Sequence, residues 1–211
     1  MSLAVGCPQC AAPVTESAQG WICATHAAIE PMWRTTAPTY DDFAEHLLRA
    51  ETMPTYLPWP LSPGWSVTDF AGIGAAPQRP RATMTCASGP SELDGPVDVA
   101  VIAEEPGTGF GARVAGLVAR DPGAEIGGGA PAVRVRIGRQ LVPLWPVSTS
   151  SEDAEWDRSV VAGEAEGRWL WLVLRPASAI LLLQADWILR DASQVGPALV
   201  ELPFGGPAPS W

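Results

Sequence analysis

The chain has 211 residues, 47% of them hydrophobic, with 13 basic residues that are all arginine, 23 acidic residues and a formal net charge of −10. That length suits one medium domain with a small attachment, and a body of about 150 residues buries roughly two-thirds of its unfolded surface, so a true core is expected without help from a metal-bound module. The acids are spread along the whole chain, which argues against a nucleic-acid partner, because such affinity rests on neutralising phosphate with Lys and Arg.

In chain order, "MSLAVG" is too short for a secretory signal and lacks a basic start followed by an apolar run. The thiols are therefore expected to meet a reducing compartment, which favours a metal reading of the next motif over a disulfide one. Residues 7–26 read "CPQCAAPVTESAQGWICATH". A Cys-x2-Cys turn can bring both sulfurs to one ion because the chain folds sharply between them, and zinc prefers four tetrahedral sulfur or nitrogen ligands. "CPQC" is such a turn, stiffened by Pro8, and "CATH" supplies a second pair. The predicted site is Cys7, Cys10, Cys23 and His26, with Gly20 at a hairpin turn and Trp21 and Ile22 in the returning strand. Four protein ligands close a zinc site, whereas a catalytic zinc keeps a position for water, so the expected ion is structural Zn2+.

Residues 36–60 read as a connector with one helix. In "TYDDFAEHLLRAE", Thr39 stands three residues before Asp42 as a near capping box, Phe43, Leu47 and Ala50 recur at helical spacing, and Glu45 and Arg49 form an i,i+4 pair. His46, alone on a short helix, is expected to be a surface or packing residue. The proline run "MPTYLPWPLSPGW" then ends the helix.

From residue 64 onward the period is mostly two. "GWSVTDFAGIG", "RATMTCAS", "VDVAVIAEE", "AVRVRIG" and "RWLWLVLRP" read as strands bounded by Gly and Pro. Cys86 is expected in the core as an inert small hydrophobe, since a reactive thiol wants a basic, exposed setting. In "WLWLVL" both faces are apolar, with Trp169 and Trp171 on one and Leu170 and Leu172 on the other, as for a strand covered on both sides. Val133, Val135 and Ile137 should point inward; Arg134 and Arg136 form either a solvated face or, with Arg139, a small cationic patch. The run 177–193 suits either a helix or a buried strand, and "SSEDAEWD" is a charge-dense loop. Neither half of the apolar stretch around Arg175 and Pro176 reaches the ~20 residues a spanning helix needs. A cytoplasmic protein without a membrane partner is expected.

The strongest hint of further chemistry is "VDVAVIAEEPGTGFGARVAGL". A strand leads into Gly107, Gly109 and Gly111, followed by a helix start carrying Arg113; Gly107-x-Gly109-x-x-Ala112 fits a loose dinucleotide fingerprint, and N–H groups at a helix start can hold phosphate. Against it, Glu104 and Glu105 stand at the mouth of the loop, "DPG" at 121–123 should end the helix after about two and a half turns, and no repeated βαβ pattern surrounds it. The other reading is a glycine-rich turn joining two elements. Glu104, Glu105, Glu164 and Glu166 are the carboxylates available for acid–base work.

"CPQC…CATH", "LPWPLSPGW", "AEEPGTGFGAR", "PLWPV" and "AGEAEGRWLW", taken in order, resemble an uncharacterised family of actinobacterial proteins of about this length, a domain of unknown function of which some members carry the automatic label phosphotransacetylase. True phosphotransacetylases are larger, two-lobed α/β enzymes whose active site maps onto no residues here. The resemblance implies the ribbon and the order of the motifs, marks 104–113 as part of the family pattern, and transfers no activity.

Together these readings give an α+β protein: a zinc ribbon (1–35), a helical and Pro-rich connector (36–60) and a β-rich domain on an antiparallel or mixed sheet (61–211). The expected role is a non-enzymatic interaction or accessory protein with a protein partner; the ten tryptophans suit an interface as well as a core. The alternative is a small enzyme or ligand-binding domain that takes an anionic metabolite (nucleotide, CoA or acyl phosphate) at Gly107, Gly109, Gly111 and Arg113.

Overall fold

The computed structural model describes residues 3–10, 12–74, 79–148, 157–184 and 187–211; most of the charge-dense "SSEDAEWD" stretch lies outside them. The fold is α+β and dominated by strands. Among the described residues, fourteen strands run β1 Leu3–Gly6, β2 Thr15–Ser17, β3 Gly20–Cys23, β4 Ala27–Ile29, β5 Met32–Thr35, β6 Tyr56–Pro58, β7 Ser66–Ile73, β8 Ala82–Ser91, β9 Gly95–Glu104, β10 Val133–Ile137, β11 Gln140–Pro146, β12 Ser159–Ala165, β13 Arg168–Arg175 and β14 Ile188–Asp191. Eleven of them form one mixed sheet in the order β1-β5-β7-β8-β9-β13-β12-β11-β10-β14-β6, and β2-β3-β4 form a separate small sheet. Among the described residues of the large sheet, only β10 and β14 pair in parallel. The segment expected as a ribbon is thus joined to the body by its own ends, since β1 pairs with β5 and β5 with β7.

The alternation read from the sequence maps onto layers. On β13, Leu170, Leu172 and Leu174 pack in one core cluster with Val97, Val99 and Val101 of β9, while Trp169, Trp171 and Val173 pack in the other with Met84, Cys86 and Ile102. Cys86 is buried as expected, and burial pushes its thiol up to about 12. Both faces of β8 are covered: Thr83 and Thr85, opposite Met84 and Cys86, donate to the carbonyls of Pro54 and Tyr56 at 2.5 Å each. This satisfies two carbonyls that the folded-over 54–56 segment would otherwise bury unpaired. A bulge at Thr68 inserts one residue into β7, so that Val67 and Phe70, three apart, share the third cluster with Phe43 and Leu57. An extra residue in one strand changes the parity of side-chain direction, which period-two reading cannot anticipate.

Helix α1, Tyr40–Ala50, starts at Thr39, whose hydroxyl accepts from the Asp42 N–H at 3.2 Å, and Arg49 reaches Glu45 at 2.7 Å. His46 is a packing residue: it is buried between Phe43 and Phe70, its Nε2 lies 3.2 Å from Thr55 Oγ1, and burial holds its imidazole down to about 4. Val135 is buried with Val133 and Ile137 beside it, while Arg134 is exposed. Among its described residues, the ambiguous run resolves into a 3-10 helix over Ala177–Gln184, the short strand β14 and the start of a second 3-10 helix at Ala192.

Candidate metal centre and the neighbouring glycine turn

β1 delivers the chain to a turn at Cys7, whose N–H donates to Ala12 O at 2.9 Å; the Gln9 N–H points back at Cys7 Sγ at 3.4 Å. Cys23 ends β3, and His26 sits in the turn between β3 and β4, which pair with each other from Trp21↔Ile29 to Cys23↔Ala27. One ligand atom from each of Cys7, Cys10, Cys23 and His26 lies within 4.8 Å of all the others. Cys10 Sγ stands 3.7 Å from Cys23 Sγ, and His26 Nδ1 stands 3.5 Å from Cys7 Sγ and 3.6 Å from Cys23 Sγ. Cys7 and Cys23 are buried and Cys10 is exposed. Hydrogen bonds from the Thr25 and His26 backbone bring the Cys23 thiol down to about 6, whereas burial pushes Cys7 up. Three soft thiols and an imidazole gathered at one point can hold a metal ion.

The glycine turn is its neighbour. Arg113, from the short helix α2 (Phe110–Val114), sends Nη1 to the carbonyls of Cys7, at 3.3 Å, and Pro8. Its guanidinium also stacks 5.2 Å from the Trp211 ring, whose other contacts are Arg34 at 4.0 Å and Phe110 edge-on at 5.6 Å. Trp211 Nε1 donates to Asp69 Oδ2 at 2.8 Å, and Arg34 grips the same fully buried carboxylate through Nη2 at 2.6 Å and Nε at 3.0 Å. Burial raises Asp69 above the usual carboxylate range, with Arg34 opposing. Residues more than a hundred positions apart thus support the cysteine turn, and no local motif announces them.

The helix after the glycines is shorter than the sequence suggests. It ends at Val114, one turn in, well before "DPG": Gly116 takes φ +70°, its N–H bonds Arg113 O at 2.9 Å, and the Leu117 N–H bonds Ala112 O at 2.8 Å. That pair of bonds is a Schellman ending, which a glycine in the left-handed region permits. The glycines also face inward demands. Glu104, expected at the mouth of the loop, is instead fully buried behind it, and its Oε2 accepts the N–H groups of Phe110 at 2.7 Å and Gly111 at 3.1 Å while Oε1 accepts Trp171 Nε1 at 2.7 Å. Burial pushes Glu104 up to about 7 against those three donors. The Gly107 N–H is held by Asp121 Oδ1 at 2.7 Å. Gly111 lies against the Trp171 ring, where a Cβ would overlap the indole; Gly109 lies under the Arg120 stem, with Arg120 Cγ 3.3 Å from the place of its absent Cβ. Among the other candidate carboxylates, Glu164 and Glu166 are exposed and Glu105 pairs with Arg81 at 3.5 Å. No helix among the described residues is long and apolar enough to cross a membrane.

Comparison with known proteins gives a family and no activity. No curated protein matches the chain, and neither does any solved structure. Over residues 1–211 the chain belongs to the family of unknown function DUF6758.

Proposed function

We propose that this DUF6758 protein is a non-enzymatic accessory protein of the cytoplasm, in which Cys7, Cys10, Cys23 and His26 hold a structural zinc ion and the ribbon offers a surface to a protein partner. The observation that carries the metal is a set of edge lengths. Tetrahedral ligands at about 2.3 Å for sulfur and about 2.0–2.1 Å for nitrogen stand roughly 3.8 Å apart sulfur to sulfur and roughly 3.6 Å apart sulfur to nitrogen. The separations here are 3.7 Å for Cys10–Cys23 and 3.5 and 3.6 Å from His26 Nδ1 to Cys7 and Cys23. Once bound, such an ion cross-links the cysteine turn to the β3–β4 turn. Three thiolates and a neutral imidazole around a dication leave one excess negative charge, and Arg113, which bonds the Cys7 and Pro8 carbonyls, stands where it offsets that charge.

Support for the accessory role comes from the buried ionisable side chains. His46 is fixed to Thr55, Asp69 to Arg34 and Trp211, and Glu104 to two backbone N–H groups and Trp171. Each serves the scaffold. An enzyme or ligand-binding domain that cradles a nucleotide, CoA or acyl phosphate on the backbone of 104–113 has less support, because the Gly107, Phe110 and Gly111 N–H groups already have internal acceptors.

The test has two readouts on one preparation: zinc by elemental mass spectrometry, and affinity capture from native lysate comparing intact protein with Cys7→Ser/Cys10→Ser. One zinc per chain and a stoichiometric protein partner lost in the double variant are expected. Protein without metal, or the same captured set from both forms, would sink the reading.

A further inference from the structure

A cleft of about 450 Å³ opens between the cysteine turn and the glycine turn, with Pro8 on one wall and Gly107 to Phe110 on the other. Its charged lining residues, among those described, are Arg81, Arg113 and Arg120 against Glu30. This is a local excess of positive charge in a chain whose net charge is −10. The three arginines come from different places: the residue before β8, helix α2, and the loop beyond it.

Their partners offset the charge unevenly: Arg81 faces two carboxylates, Arg113 faces the excess negative charge of the proposed metal site, and Arg120 faces neither. Arg113 is half-buried, its hydrogen bonds among the described residues all leave through Nη1, and they go to the Cys7 and Pro8 carbonyls and the Met32 sulfur, not to a carboxylate. Arg81 is divided between two long ion pairs, Glu30 at 3.4 Å and Glu105 at 3.5 Å. Arg120 is exposed and makes no ion pair among the described residues; Gly109, lacking a Cβ, lets its stem lie across the turn. Ile29, Leu117 and Val118 supply an accessible apolar part of the same cleft. A concave site of some hundreds of Å³, part apolar with a few convergent polar groups, is the usual form of a small-molecule pocket, and guanidinium groups match carboxylate and phosphate geometry.

We propose that this cleft binds a small organic anion, with a carboxylate or phosphate head on the Arg81, Arg113 and Arg120 side chains and an apolar tail against Leu117 and Val118. The glycines contribute shape, by letting the backbone and the Arg120 stem approach closely; the donors are guanidinium groups and not the loop's N–H groups. Such a site is independent of whether the protein also has a protein partner.

The test is a titration of ¹⁵N-labelled full-length protein with hexanoate, n-hexyl phosphate and, as a neutral control, hexanol, followed by amide shifts. Saturable shifts at residues 107–120 and 28–30 are expected with at least one of the two anions and not with hexanol, and which anion is tighter identifies the head group. Arg120→Gln, at an exposed position that leaves folding intact, and Arg81→Gln should each weaken binding by about tenfold, the scale of one charge-assisted hydrogen bond. Absence of saturable shifts with both anions, or shifts indifferent to both substitutions, would overturn the site. Zinc content measured on the same samples keeps the readings apart: metal-loaded protein that ignores both anions refutes the cleft alone, and metal-free protein that binds one refutes the metal alone.

Discussion

The cysteine turn and the glycine turn touch through Arg113, and both look like sites when read as strings, yet they dispose of their polar atoms in opposite ways. At the cysteine turn, four side-chain donors meet one another within 4.8 Å, and an ion is the natural partner for such a set. At the glycine turn, the N–H groups that could greet a ligand are met from within by Glu104 and Asp121. A local motif specifies which groups converge; what lies beneath it decides whether they are open. Buried backbone donors need partners, and a scaffold carboxylate serves as well as a ligand phosphate.

The largest expected effect tests the first half of that contrast. Replacing Cys10 and Cys23 with Ser should take zinc from one per chain to none, and hydrogen exchange should then show β2–β4 unprotected while β8, β9 and β13 stay protected. Structural zinc is worth roughly 10 kcal/mol or more in isolated modules, so survival of the small sheet without metal would mean that the ribbon is held by packing alone.

Next comes Gly111→Ala. Its methyl would enter the ring of Trp171, a fully buried side chain whose indole N–H is tied to Glu104. A destabilisation of about 3 kcal/mol is expected in urea melts, the upper range for overpacking a core that cannot relax. A neutral result would mean that Gly111 is not a packing glycine.

Third is a paired pH experiment on the carboxylate beneath the glycine turn. Burial raises Glu104 from 4.5 to about 7, so its contribution to stability falls as pH rises through that window and is flat above it. Burial lowers His46 from 6.5 to about 4, so its contribution is complete above 6.5 and is lost as pH falls. In the parent protein the two slopes oppose. Between pH 7 and pH 5, relative to the parent, Glu104→Gln should lose about 2 kcal/mol and His46→Gln should gain about 2 kcal/mol. Referencing both to the parent at each pH cancels any acid release of metal. Parallel curves would place the Glu104 carboxyl in a far wetter setting than the fold indicates.

The smallest effect belongs to Gly107→Ala. Space is open around Gly107, but φ is +80°, so about 1 kcal/mol of backbone strain is expected, with no change in packing. A cost as large as that of Gly111→Ala would show that the two glycines share one role.

Legibility followed sequence distance. The gathering of Cys7, Cys10, Cys23 and His26 was readable because Cys-x2-Cys and Cys-x2-His are short enough for spacing to dictate geometry. Strand faces were readable wherever alternation ran unbroken, as at Trp169–Leu172 and Val133–Ile137. The bulge at Thr68 broke that reading, and the 3-10 turn over 177–184 has neither of the two periods being sought. The end of α2 was hidden because a glycine can continue a helix or cap it, and only the Arg158 guanidinium packed on Gly116 and the bonds around it decide which. Strand order, the Arg34–Asp69–Trp211 cluster and the burial of Glu104 depend on contacts between distant segments, which no window of a single sequence contains.

The pairing of β1 with β5 has one more consequence. Gly6 and Met32 are register partners at the end of that ladder, so residues 7–31 leave and re-enter the sheet at adjacent points, as an excursion from the tip of a hairpin. A segment mounted in this way is an insertion: it carries the whole of the small β2–β4 sheet, and exchanging it would leave the strands of the large sheet unbroken. The continuity of the large sheet therefore does not run through the cysteines, although Arg113, Arg81 and Trp33 each contact the segment that carries them.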